Sequence, residues 1–560
     1  MKALAHVPFL LLVCLSVWAC GEEPSDTAPE VLEPDPEPTA AEPLAVEPEP
    51  EPEPEGPPPR LYTKRWVVTV REAPHTTGRR IGYLRAGALL MSASERLRST
   101  DEADEDCVEG FYELEGGGFV CAPHMIPFHG DRVPRRPGPQ PDREARLPYR
   151  YGYARRDMTP VYRRFPTDEE AVEHEGYVIP GTEPEEGEDT EVEAAPTPPP
   201  ADAPQEAASV PAGIGGVEGQ TAPAEDAEEA EPEPPPRLDD LRYRRGLLRR
   251  HLMRGFYVSL DRPVRTGNRG YWRTLQGSLV PRLWLGEREG SDYTGATFDD
   301  AVFAFPALDD TEEGTPAEAA SPGEEEEVDV PELIGVAFAL RRALPYFTER
   351  NGRIGRSRSY PPRTPIPIAG RIEHDGTAFL MAPEGRLLRE SDAYFAPLPT
   401  LPEGVSEDEK WVDVNLERQT LVAYRGTRPV FATLISSGIV LRPGVEDADH
   451  RTPGGTFRIN VKHLTRTMDA DNELQGPYSV DDVPYVMYYE GNFALHAAFW
   501  HDAFGRPKSH GCINMAPRDA NWLFSWTEPA LPEGWHGVYP EEETDGTLIH
   551  IHGETPSRRR

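Results

Sequence analysis

The sequence predicts a mostly β, multidomain protein in which small strand-rich modules are separated by long acidic linkers. Three observations carry this reading. The 560 residues include 63 prolines and only 38% hydrophobic residues, too little apolar surface to fold the whole length. The formal charge of −39 resides in three stretches that hold no lysine or arginine, with 13 carboxylates in 21–59, 16 in 181–236 and 10 in 309–329. Elsewhere, aromatic and branched residues alternate around glycines, the pattern of half-buried strands joined by tight turns. Because disordered linkers hold the excess charge, the folded remainder is formally neutral and need not repel an anionic polymer.

The first twenty residues read as an export signal. Lys2 precedes the apolar run Val7–Val17, and Ala19 precedes Cys20. That run is shorter than the roughly 20 residues a membrane-spanning helix needs. With cysteine at the first mature position, the segment resembles a bacterial lipoprotein signal. The resemblance implies lipid on Cys20, membrane attachment through it and a periplasmic location; Gly21 where retained lipoproteins carry Asp implies the outer membrane. Residues 21–59 then form a Glu-Pro tether, which at about 3.1 Å per residue reaches roughly 100 Å.

Each of the five cysteines has a separate expected fate. Cys14 leaves with the signal and Cys20 takes lipid. Cys107 and Cys121 lie in one small module of an oxidising compartment and are expected to pair, stabilising the fold by about 3 kcal/mol. Cys512 is left as a lone thiol in an exported chain, a candidate nucleophile on those grounds alone.

A weak internal repeat runs through the middle of the chain. Gly110–Cys121, Gly270–Pro281 and Thr377–Leu388 each read as two short strands around a glycine turn. The first copy lies in 60–130, where Val70-Arg71-Glu72-Ala73-Pro74 and Ile81-Gly82-Tyr83-Leu84 resemble bacterial SH3-like wall modules. A second such barrel is expected over 145–180 and 237–290, with the 181–236 linker inserted as a long loop, and a third over 333–400. Such modules either bind peptidoglycan or act as spacers for the C-terminal domain.

From Lys410 the acidic runs end and strand signals become regular: Trp411–Leu416, Gln419–Gly426, Pro429–Ser437, Thr452–Ile459, Val483–Tyr489, Phe493–Ala498 and Gly546–His552. Arg518–Thr527 has helical spacing, with Trp522 and Trp526 on one face. Three histidines, His496, His501 and His510, precede Cys512, and Gly511 permits close backbone approach. A cysteine needs a base or cation to become a thiolate near neutral pH. In an extended segment, His510 would share a face with Cys512 and reach its sulfur.

His496, Ser509-His510-Gly511-Cys512 and Asn514 together resemble the YkuD-type L,D-transpeptidases, whose pattern is His, a variable stretch, then Ser/Thr-His-Gly-Cys-x-Asn/Arg. Ser436-Ser437-Gly438 and Thr452-Pro453-Gly454-Gly455-Thr456-Phe457 are similar to segments of that family too. The resemblance covers 409–553 and implies a β-sandwich catalytic domain acting on peptidoglycan stem peptides. It implies Cys512 as nucleophile, His496 as general base and His510 in support. Ser509, Gly511 and Asn514 would serve oxyanion or substrate positioning. No cofactor, metal or nucleic acid is expected. His501 has no counterpart, Tyr485, Tyr488 and Tyr489 divide between cleft and core, and His550 and His552 are read as structural. The competing readings are a wall-binding lipoprotein without catalysis and a hydrolase that uses water as acceptor.

Overall fold

The computed structural model describes residues 58–94, 97, 106–133, 139–176, 236–298, 332–340, 342–440, 449–471 and 476–556. The signal with Cys20, the tether 21–59 except its last two residues, and the linkers 181–236 (except Pro236) and 309–329 lie outside the described residues. Among the described residues no helix is long and apolar enough to cross a membrane.

Among the described residues the C-terminal region builds nine strands of three residues or more: β1 (Lys410–Asn415), β2 (Thr420–Arg425), β3 (Arg428–Leu434), β4 (Gly455–Arg458), β5 (Val461–Ala470), β6 (Tyr478–Glu490), β7 (Phe493–Ala497), β8 (Ile513–Met515) and β9 (Leu548–His552). One sheet runs β3-β2-β1-β9-β4, and a second runs β5-β6-β7-β8. They face each other as a sandwich. Val412, Val414, Leu421 and Ala423 of the first meet Tyr485, Met487, Leu495, Ala497 and Ile513 of the second. The helix Pro517–Trp526 starts with proline at its first turn and turns Ala520, Leu523 and Phe524 into the same core. Lys462, fully buried on β5, donates its ammonium to the carbonyls of Phe524 (2.5 Å) and Thr527 (2.7 Å), satisfying acceptors that the helix end leaves open.

Upstream lie three small antiparallel units. In each the chain passes from a strand through one 3₁₀ turn into another strand: Phe119–Cys121 to Met125–Phe128, Leu279–Pro281 to Leu285–Arg288, and Leu387–Arg389 to Tyr394–Pro397. The hairpins before these turns are the three repeats visible in the sequence. Cys107 and Cys121 are joined in the first unit. In the second, Arg150–Ala154 pairs with Tyr257–Thr266 and Leu285–Arg288, and Thr159–Tyr162 pairs with Leu248–Leu252. The two halves separated by the 181–236 insertion therefore form one unit.

All three units dock on the C-terminal sandwich. Tyr257 pairs with Val480 of β6, and Gly82 and Tyr83 pair with Val538 and Gly537, a short strand that pairs in turn with β5. A continuous sheet thus runs from the second unit through β6 and β5 into the first. Trp535 and Val538 complete the core of the first unit, packed with Leu61, Val70 and Leu84. The third unit lays Val336 and Phe338 on the outer face of the first sheet, against Trp411, Val422 and Tyr424. Charge follows the same plan. Residues 237–290 carry thirteen arginines against five carboxylates, whereas 409–553 carry twelve basic residues against twenty acidic ones. Across their boundary Arg250 meets Asp481 at 2.6 Å and Arg242 meets Asp469 at 2.7 Å.

Candidate active site

Strands β7 and β8 run side by side in parallel, with His496 opposite Asn514. Side chains of one strand alternate between faces, so Ala494 and His496 of β7 share a face with Asn514 of β8. Cys512, just before β8, lies on that face as well. Its half-buried side chain packs against a cluster that includes Tyr151, Ala494 and Phe499, separate from the sandwich core, and its Sγ lies 3.7 Å from the Asn492 carbonyl. The strand register thus sets His496 beside Asn514, and Cys512 precedes Asn514 by two residues at the same end of the second sheet.

His496 is buried, and its Nδ1 donates to the carbonyl of Ala497 at 3.0 Å. With that proton fixed, the neutral ring keeps its lone pair on Nε2, the nitrogen free to act as a base. Burial lowers the His496 pKa to about 4, against a smaller raising effect of the Ala497 bond. Burial likewise pushes the Cys512 thiol up to about 11, moderated by a backbone hydrogen bond at Ala494. At neutral pH the two side chains therefore rest as thiol and neutral imidazole.

This fixes the sign of the pH response. A base works in its neutral form, so a depressed histidine pKa extends activity toward acid. Acylation of Cys512 is expected to persist to about pH 5 and to fall only as His496 protonates near 4. An acid limb centred near 6.5 in a pH–rate profile would overturn that assignment.

His510 departs from the extended geometry that the sequence suggested. Residues 510–512 form a bend rather than a strand, and Gly511 adopts φ +121°. A Cβ at Gly511 would lie 2.5 Å from the Phe493 ring, so glycine is required on two counts. The bend turns the His510 ring onto Tyr478 (centroids 5.1 Å apart, 13° between planes) and edge-on to His450 at 4.9 Å. Burial and His450 lower its pKa to about 4.

Ser509 braces the same bend. Its Oγ donates to the Cys512 carbonyl at 2.5 Å and accepts from the Gly511 N–H at 3.1 Å. That engagement removes Gly511 N–H from the donors expected to face an oxyanion. Beneath the bend, Thr452 Oγ1 accepts from Gly438 N–H (2.9 Å) and donates to the Gly511 carbonyl (2.7 Å). Any Cβ at Gly438 would lie 2.9 Å from the Gly511 Cα and closer still to the His450 carbonyl. The Ser436–Gly438 and Thr452 segments are thus the cradle of the Cys512 loop.

Of the three tyrosines singled out in the sequence, Tyr485 and Tyr489 belong to the sandwich core and Tyr488 packs on the Cys512 face. Tyr478 was missed, because nothing local marks a tyrosine at the start of a hairpin strand as the partner of His510. Also unforeseen is the wall supplied by the second upstream unit. Tyr151 stacks on Phe499 at 4.1 Å, Tyr257 meets Phe499 edge-on at 5.3 Å, and Trp500 lies 5.8 Å from the His496 ring. Arg288 of the same unit donates to the carbonyls of Phe499 (3.4 Å) and Trp500 (3.1 Å). Residues more than two hundred positions upstream therefore hold the segment that follows the base. On β9, His550 bonds Thr456 and His552 bonds Asp413. Among the described residues no three His, Cys, Asp or Glu side chains stand together as a metal site.

Residues 409–553 match the L,D-transpeptidase catalytic domain of the YkuD family. The YciB protein of Bacillus subtilis (strain 168), named for a candidate L,D-transpeptidase activity, is 23% identical over 130 residues, 21% of this chain and 62% of that protein. This chain thus spans less than two thirds of that relative's length. Among solved structures, an E. faecium L,D-transpeptidase catalytic domain acylated by ertapenem is 26% identical (27% of this chain, 100% of that one, TM-score 0.20). An L,D-transpeptidase from Stackebrandtia nassauensis is 21% identical (27% of this chain, 58% of that one, TM-score 0.19).

Proposed function

We propose that this protein, whose residues 409–553 are a YkuD-type catalytic domain, is a peptidoglycan L,D-transpeptidase with Cys512 as nucleophile and His496 as general base. The observation that supports the reading is the position of His496 on β7 beside β8, the strand that Cys512 leads into, with Nδ1 of His496 committed to Ala497. Sγ attacks the carbonyl carbon of the third stem-peptide residue while its proton passes to Nε2 of His496. Collapse of the tetrahedral intermediate breaks the amide to the terminal D-alanine, which leaves as an amine carrying that proton. An amine acceptor then attacks the thioester, gives its proton to His496 and restores the thiol, leaving a 3–3 cross-link or an attached protein. The Cys512 N–H and the Asn514 side chain are the donors on hand for the oxyanion. Export and lipidation at Cys20, with tethering to the outer membrane of the periplasm, rest on the signal-like sequence of residues 1–20. The upstream units, the first of which resembles SH3-like wall modules in sequence, chiefly position the catalytic domain.

The test is intact-mass analysis of the purified protein with ertapenem and with a tetrapeptide-stem muropeptide. An adduct and D-alanine release are expected from the native protein and from none of the Cys512→Ala protein. A folded native protein that gives neither outcome would shift the reading to wall binding without catalysis. Free tripeptide stem in place of a transferred product would identify a hydrolase.

A further inference from the structure

Each of the three upstream units passes through one short 3₁₀ turn, and the three turns differ in chemistry. They read Ala122-Pro123-His124, Arg282-Leu283-Trp284 and Glu390-Ser391-Asp392. The turn itself therefore demands no large apolar side chain. Yet Leu283 at its middle is 86% exposed, and Trp284 beside it is only half-buried. The segment that holds Met158, itself 47% exposed, lies against this turn: the Arg155 N–H donates to the Trp284 carbonyl at 2.9 Å, and the Arg156 guanidinium sits over the Trp284 ring, 5.0 Å from its centre. Apolar residues scattered singly over a surface are ordinary, whereas several gathered at one place mark a contact.

The surroundings of this apolar knob are cationic. Arg156, Arg254 and Arg282 are exposed, and among the described residues none of them meets a carboxylate through its side chain. Arg282 lies over the Trp272 ring, 5.7 Å from its centre, and Arg254 reaches Asp157 only through its backbone N–H (2.8 Å). A guanidinium stacked on a ring keeps its N–H edge for phosphate oxygens. The carboxylates that make the chain acidic belong to 21–59, 181–236 and 309–329, none of which supplies this face, and charges more than about 8 Å away are largely screened at physiological salt.

We propose that the face formed by Leu283, Trp284 and Met158 docks on a bilayer of anionic phospholipid, setting its apolar side chains among headgroups whose phosphates Arg156, Arg254 and Arg282 bind. Charge complementarity selects the anionic surface, and the projecting leucine and tryptophan suit the interfacial layer, where rings lie at headgroup level above the acyl chains. The contact needs neither catalysis nor lipid on Cys20, and it agrees with a tether that begins at a membrane. From this turn the strand Leu285–Arg288 runs about 13 Å to Arg288, which holds the Phe499 and Trp500 carbonyls beside the His496 strand. Docking here would therefore keep the C-terminal domain at a fixed height above the bilayer instead of anywhere within the tether's reach.

Vesicle co-sedimentation tests this on protein without residues 1–20, so that neither the apolar run nor attached lipid contributes. The native sequence should sediment with mixed phosphatidylcholine–phosphatidylglycerol vesicles, poorly with phosphatidylcholine alone, and less as salt rises. Leu283→Glu and Arg156→Glu should each lower the partition coefficient about tenfold or more, with unfolding midpoints unchanged. Val108→Glu, at an 80% exposed position of the first unit, is the matched control and should alter nothing. Quenching of tryptophan fluorescence by bromine-labelled lipid should be present in the native sequence and largely lost in Trp284→Phe. No sedimentation, equal sedimentation with neutral vesicles, or equal losses in Val108→Glu and Leu283→Glu would overturn the proposal. A dimer in vesicle-free solution that Leu283→Glu dissolves would give the face to a second copy of this chain and overturn it as well. Binding with no quenching assignable to Trp284 would mean adsorption by charge alone and would overturn the insertion.

Discussion

Replacing His496 with glutamine is expected to slow acylation of Cys512 by about 10²–10⁴-fold, the usual worth of a general base. The upper end is favoured here by the state of the thiol. Burial raises Cys512 to about 11, so on the order of one molecule in 10⁴ is a thiolate at neutral pH without help. Glutamine can still donate to the Ala497 carbonyl and fill the space against Trp500, so the fold should persist while the base is lost. His510→Ala is the matched control. Its ring is engaged with Tyr478 and His450, and its removal should cost far less than that of His496. Stopped-flow measurement of ertapenem acylation compares the two, and equal losses would contradict the division of roles.

Asp482→Ala is expected to destabilise the protein by about 3–5 kcal/mol, the range for stranding one half of a buried ion pair. The Asp482 carboxylate receives Arg85 of the first upstream unit (2.5 Å), Ser259 of the second (2.5 Å) and Thr465 of β5 (3.0 Å). Its backbone carbonyl accepts from Tyr151 at 2.7 Å. Three parts of the chain thus meet on one side chain. Asp482 also has φ +52°, a conformation that aspartate and asparagine tolerate better than alanine. Asp482→Asn therefore separates the causes, because it keeps the backbone preference and loses only the charge. Thermal unfolding of the native protein and both variants should place Asn between the native protein and Ala; an unchanged midpoint in Asp482→Ala would show that the three parts dock without this residue.

Much of this was legible in the sequence, for identifiable reasons. Cys512 stood out once every other cysteine had an expected fate, whereas His496 was singled out from the other histidines only by resemblance to the family pattern. The three repeats were visible because aromatic and branched residues alternate around a glycine that the turn requires. Strand β5 was missed. Its positions Lys462, His463 and Thr465 are buried yet polar, so hydropathy alternation fails where hydrogen bonds replace apolar contacts. The extended geometry assumed for Ser509–Cys512 did not hold, because the bend at Gly511 is a tertiary matter, fixed by Phe493 of β7 and by Thr452 from the loop before β4. The docking of the upstream units was illegible for a related cause. It depends on a few paired residues, such as Tyr83 with Gly537 and Tyr257 with Val480, too few to leave a period in the sequence.

The continuous sheet has a consequence for how the protein is made. A chain is synthesised from its N-terminus, so the edges at Arg80–Arg85 and Tyr257–Thr266 emerge long before the residues that pair with them. Until β6 and Gly537–Val538 arrive, those edges present open backbone donors and acceptors, the kind of surface on which chains associate wrongly. Arginines crowd both waiting strands, Arg80 and Arg85 on one, Arg262 and Arg265 on the other, and charge of this kind discourages pairing between identical edges. The catalytic domain is thus made after the upstream units and supplies the strands that complete them.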